Sequence, residues 1–102
     1  MARSPIHPGE ILAEQVLELG ISVRQFAQAI DVPPNRISQI LRGRRAVTAD
    51  TALRLAHYFG TDPRFWLNLQ QSYELRLAQR NSAKRIARLP KLRRAAAIAA
   101  AE

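Results

Sequence analysis

Between Ser22 and Gly43 the chain reads SVRQFAQAIDVPPNRISQILRG, and few folds accommodate that run. Ser22 can cap a helix while Gln25, three residues on, reaches back to the cap's own N–H, and Ile21 with Phe26 can staple the entry from outside. Phe26, Ala27 and Ile30 then form an apolar stripe that must face a core, until Asp31, Val32 and Pro33 break the period. Pro34 suits the first position of a second helix, where no backbone donor is required. Gly43 suits its end, since glycine enters the left-handed region freely. Ile37, Ile40 and Leu41 give this second helix a buried face.

The opposite face of the second helix carries Asn35, Arg36, Ser38, Gln39 and Arg42. Asn and Gln can pair with adenine through two hydrogen bonds and Arg with guanine, which is the chemistry that reads base edges in a major groove. On a lone amphipathic helix such a face is ordinarily just solvated. Here the capped first helix, the short turn, the closing glycine and the Arg44-Arg45 pair coincide, and the segment is expected to be a helix-turn-helix with its second helix in the groove. Asn35, Arg36 and Gln39 are the expected base readers. Ser22, Arg24, Gln25, Ser38, Arg42, Arg44 and Arg45 are expected on the DNA backbone.

Charge agrees with a polyanionic partner: 16 Lys and Arg against 8 Asp and Glu leave a net +8, and each cation placed on a phosphate releases condensed counterions. Residues 1–80 hold 10 basic and 7 acidic side chains, net +3, whereas 81–102 hold 6 and 1, net +5. The division expected is therefore a DNA-binding and dimerisation domain over 1–80 and a basic, Ala/Arg-rich tail over 81–102. The absence of cysteine removes disulfides and thiolate metal sites. No apolar run approaches a membrane span and MARSPIHPGE lacks a secretion signal, so a cytoplasmic protein with no membrane association is expected.

Three more helices complete an all-α domain. Residues 8–19 begin with Pro, place Glu10 and Glu14 near the positive end of the helix dipole, carry Ile11, Leu12, Val16, Leu17 and Leu19 on a broad apolar face, and stop at Gly20. Thr48 can cap a fourth helix with Ala52, Leu53, Leu55, Ala56 and Phe59 buried, closed by Gly60. Thr61 or Asp62-Pro63 opens a fifth, expected over 64–80. Phe65, Trp66, Leu69, Tyr73 and Leu77 give that helix more apolar surface than a terminal helix of a small domain needs, so they form the expected dimer interface. The competing reading places Trp66 and Tyr73 in the monomer's own core. Dimers suit a helix-turn-helix that reads two half-sites about one helical turn apart.

From Ile21 to Arg45 the chain resembles the Xre/Cro/CI helix-turn-helix family, with the run I-S-x-I-x-x-G. It departs from that pattern at Val23, where the family often has a phosphate-contacting Gln, and at Asp31, where it often has Gly. Arg24 or Gln25 can replace the first, and Asp tolerates the left-handed conformation better than most side chains. HPGEIL at 7–12, ALRLA at 52–56 and FWLNLQ at 65–70 add a narrower resemblance, over about residues 5–80, to the HigA-type or VapI-like antitoxins. It implies a five-helix, lambda-repressor-like domain that forms a homodimer on a palindromic double-stranded DNA operator. It also implies repression of the chain's own operon and neutralisation of a RelE-fold mRNA endonuclease toxin. A stand-alone regulator of the same fold and a non-specific nucleic-acid binder are the alternatives.

Catalysis has little to rest on. His7 and His57 are the only histidines, neither has a spacing to acidic residues that makes an acid–base pair or metal site, and His57 reads as a partly buried helix residue. No enzyme, cofactor or metal is expected. Pro90 should interrupt any helix in the tail. The tail's positive charge makes it a poor mimic of RNA for a basic toxin, so neutralisation is expected to use another surface.

Overall fold

The structure is a computed structural model that describes residues 4–92, and these form five α-helices with no strand among the described residues. They are α1 (Pro8–Leu19), α2 (Val23–Ala29), α3 (Pro34–Leu41), α4 (Ala49–Phe59) and α5 (Pro63–Ala87). The all-α, five-helix architecture expected from the periodicity is the observed one.

Short-range chemistry explains where these helices begin. Ser22 Oγ accepts from Gln25 N at 3.1 Å while Gln25 Oε1 accepts from Ser22 N at 2.9 Å, so both members of the capping box are engaged. Thr48 caps α4, and Asp62 rather than Thr61 caps α5. The Arg64 guanidinium, hydrogen-bonded to the Asp62 carboxylate, holds that acid down at about 2. At α1 the cap is His7, whose Nδ1 accepts from Gly9 N at 2.9 Å while its own N–H donates to Glu10 Oε2 at 3.0 Å.

The two helices of the central motif end in the same way. After α3, Gly43 N donates to Ile40 O and Arg44 N to Gln39 O, with Gly43 at φ 72°. After α2, Asp31 N donates to Gln28 O and Val32 N to Ala27 O, with Asp31 at φ 56°. These paired bonds satisfy carbonyls that a helix end leaves open, and each needs one left-handed residue. Asp31 thus supplies the conformation that glycine supplies elsewhere. Arg54 of α4 reinforces the turn, donating through Nη1 to the carbonyls of Ile30 and Asp31 at 3.1 and 3.2 Å and through Nε to Asp50.

The core joins Leu12 and Val16 of α1, Phe26 and Ala27 of α2, Ile30 and Val32 of the turn, Ile37 and Ile40 of α3, Val47, Ala52 and Leu55, and Trp66 of α5. Several side chains expected inside depart from this, Leu19 at 41% exposed among them. Leu17 is 81% exposed and Leu53 59% exposed, because α1 and α4 are each covered along one narrow stripe, and His57 is exposed rather than partly buried. Trp66, expected at a dimer surface, is 1% exposed in the monomer and packs beside Phe59. Its step along α5 points it inward between α4 and the central motif, so it is unavailable to a second chain.

Helix α5 starts one residue before the expected range and runs seven past it, to Ala87. Nothing in the backbone pauses at residue 80, since Gln79–Arg85 are good or tolerable helix formers. The helix stops three residues short of Pro90, as a proline ahead of it requires. Residues 93–102 of the basic tail lie outside the described residues.

Candidate nucleic-acid interface

On α3 the buried side chains Ile37 and Ile40, with half-buried Leu41, define the inward face. Asn35, Gln39 and Arg42, spaced four and three apart, line up on the opposite side. Asn35 and Arg42 are exposed and Gln39 is half-buried. Arg36 and Ser38 flank that line and are also half-buried. The helix is pinned at its C-terminal end by the loop that carries Arg44 and Arg45, both exposed.

One contact within this face was invisible in the sequence: Arg45 Nε donates to Gln39 Oε1 at 2.7 Å. It fixes the Gln39 amide so that its NH2 group and one remaining lone pair stay available, the pair of functions that adenine N7 and N6 require. Arg45 keeps its Nη donors free. A side chain expected only on the backbone is therefore coupled to one expected on a base.

At the N-terminal end of α2 the capping box consumes part of the expected phosphate-binding chemistry. Ser22 Oγ is committed as an acceptor and retains its hydroxyl proton, while Gln25, with Oε1 committed, offers its NH2 outward. Arg24 is exposed and paired with no acid among the described residues. Arg24 and Gln25 are therefore the donors exposed beside Val23.

Two residues that support the interface were missed. The buried Gln70 of α5 accepts at Oε1 from Val47 N at 2.9 Å, satisfying a backbone donor just after the arginine loop. A polar residue on the apolar stripe of FWLNLQ was the available signal. Buried His7 packs its ring over Gly43, where an added Cβ would stand 3.6 Å from His7 Cγ, and meets Tyr73 edge-on with centroids 4.8 Å apart. Burial lowers the His7 pKa below 6.5, against the backbone of Arg45 and the charges of Glu10 and Glu74, which pull it up. Gly9 completes the junction, since any Cβ there would collide with the Ile40 carbonyl. The HPGE run is what lets α1 abut the end of α3.

Among the described residues there is no cluster of side chains able to hold a metal ion, and no helix is long and apolar enough to cross a membrane. The four expected interface residues other than Trp66 remain at least partly accessible on α5: Phe65 and Leu77 are exposed, Leu69 and Tyr73 half-buried.

Comparison with known proteins agrees with this geometry. Residues 12–66 match the Helix-turn-helix family. Virulence-associated protein I of Dichelobacter nodosus is 51% identical over 77 residues, covering 74% of this chain and 71% of that protein. A HigA-family addiction module antidote protein from Coxiella burnetii superposes with a TM-score of 0.85 at 49% identity, over 89% of this chain and all of that one. The Pseudomonas aeruginosa antitoxin HigA, solved with the higBA promoter, gives 0.82 at 40% identity over 87% of this chain and 99% of that one. The two solved relatives are an addiction module antidote protein and an antitoxin, not enzymes.

Proposed function

Since the chain belongs to the helix-turn-helix family, and within it to the branch of the HigA-type antitoxins, we propose that it is a homodimeric, cytoplasmic repressor of a palindromic operator. In this reading it is also the antitoxin of a toxin–antitoxin pair: it represses its own operon and neutralises a RelE-fold mRNA endonuclease. The observation that carries the DNA-binding part is the outward line Asn35, Gln39, Arg42 on α3, with Gln39 oriented by Arg45 and the closing loop presenting Arg44. Asn35, Arg36 and Gln39 read bases; Ser22, Arg24, Gln25, Ser38, Arg42, Arg44 and Arg45 hold the backbone. The toxin partnership rests on the likeness to antitoxins.

Binding to the DNA upstream of the chain's own reading frame tests the first part. Asn35→Ala or Gln39→Ala should weaken the operator complex by about 1–3 kcal/mol and relax preference at one base pair per half-site. Arg44→Ala should weaken operator and scrambled duplexes alike. Equal losses on both duplexes for Gln39→Ala would sink its base-reading role. For the second part, co-expression with the product of the adjacent reading frame should rescue growth and copurify a complex, and Arg36→Ala should leave rescue intact. An adjacent product that neither harms growth nor binds would leave a stand-alone regulator.

A further inference from the structure

Helix α5 passes beneath the arginine loop and then leaves the domain. Gln70 bonds to Val47 and Tyr73 packs on His7, which itself covers Gly43, so this side of α5 faces the loop that bears Arg44 and Arg45. Counting on from Tyr73 by three, seven, eleven and fifteen residues reaches Arg76, Arg80, Lys84 and Arg88, which share that side of the helix. From Glu74 to Leu92 every residue except Ser82 is exposed. Six Lys and Arg and no acid occur between Arg76 and Leu92, and none of the six has an ion pair among the described residues.

An ordinary solvated helix mixes charges, because like charges four residues apart repel and opposite ones attract. Attraction to the negative end of the helix dipole accounts for Lys84 and Arg85 in the last turn. It does not reach Arg76 and Arg80, which lie two turns or more from that end. A single-signed stripe about 18 Å long, at 1.5 Å per residue, is long enough to span several phosphates along a DNA backbone.

We propose that Arg76, Arg80, Lys84 and Arg88 form a second DNA contact, a phosphate-binding stripe that carries the footprint beyond the bases read by α3. The partner is duplex DNA flanking the operator half-site, reached on the side of α5 that continues the Arg44–Arg45 loop. It adds affinity without sequence preference. This rests on the DNA-binding reading above and extends it to a helix outside the recognised motif.

The test is a salt titration of full-length protein on operator and scrambled duplexes, comparing wild type with the combined variant Arg80→Gln, Lys84→Gln, Arg88→Gln. The plot of log affinity against log salt should become shallower by about 0.9 for each phosphate contact removed. At moderate salt both duplexes should lose about tenfold or more, with the operator-to-scrambled ratio unchanged. Charge-preserving Arg80→Lys, Arg88→Lys should keep the wild-type slope; a loss as large as the glutamine variant's would show that shape rather than charge matters and overturn the proposal. So would an unchanged slope in the glutamine variant with native circular dichroism, including the case in which that variant loses binding only to vesicles containing phosphatidylserine. A wild type with no operator preference but a slope that the glutamine variant flattens would instead remove the base-reading function and leave the stripe standing.

Discussion

His7 concentrates three jobs in one side chain: it caps α1, roofs Gly43 and braces Tyr73. Its Nδ1 must be unprotonated to accept from Gly9, and burial favours the same neutral form. Above pH 6.5 the imidazole is neutral in folded and unfolded chains alike, and this contribution to stability is complete. As pH falls below 6.5 the unfolded chain takes up the proton first, so stability is lost until the lowered folded value is passed and is constant below it. The backbone of Arg45, and after it the charges of Glu10 and Glu74, limit the loss, since all three favour the proton. His7→Asn should keep the cap, because asparagine is among the best N-cap residues, while losing about 1–2 kcal/mol through the missing ring contacts. It should also flatten the dependence of the urea midpoint between pH 8 and 5.5. A wild-type midpoint that does not move over that range would remove His7 as the titrating group.

The elements of the central motif owe their relative placement to backbone contacts as much as to apolar packing. Gly9 is the sharpest case, for α1 meets α3 at the Ile40 carbonyl with no room for a methyl group, and the obstacle is backbone that cannot rotate away. Gly9→Ala should therefore cost about 1–3 kcal/mol or more by overpacking, measurable as a lowered midpoint, and should weaken operator binding because the arginine loop follows directly from that end of α3. Gly60→Ala meets no neighbour and pays only the left-handed backbone strain, about 1–2 kcal/mol, so it should leave DNA affinity intact. If Gly9→Ala proved as mild as Gly60→Ala, the junction would not be the constraint described. What was legible in the sequence follows the same division. Caps and turns at Ser22, Asp31, Gly43 and Thr48 depend on atoms within a few residues, and all were readable. The bonds from Gln70 to Val47 and from Arg45 to Gln39 join groups brought together by folding, and no local pattern encodes them. The apolar stripe of α5 was legible as a stripe, but its assignment to core or partner was not, because Trp66 and Leu77 share a helix face and differ only in how far α4 and α1 extend beside them.

At the scale of the whole molecule, the question left by α5 is what covers its outward side. Its inward stripe runs through Trp66, Leu69 and Tyr73 to the basic series, whereas Leu75 and Ile86, three turns apart on the opposite side, are 59% and 57% exposed. A charged arm on one side and unpaired aliphatic side chains on the other suit a helix placed between DNA and a second copy of itself. Two-fold pairing would use the same patch twice and give a palindromic operator its matching symmetry. Leu69→Glu or Tyr73→Glu is a poor probe, since both side chains also touch the monomer's own packing. Leu75→Glu and Ile86→Glu touch none of it, so they should leave helical content and thermal unfolding of the monomer nearly unchanged while shifting sedimentation from dimer to monomer. Operator affinity should fall with them, because each half-site then binds alone, while affinity for a single half-site duplex should hold. A wild-type protein that sediments as a folded monomer at high micromolar concentration would end the dimer proposal. Dimers that survive both substitutions would move the interface to the exposed Phe65 and Leu77 instead.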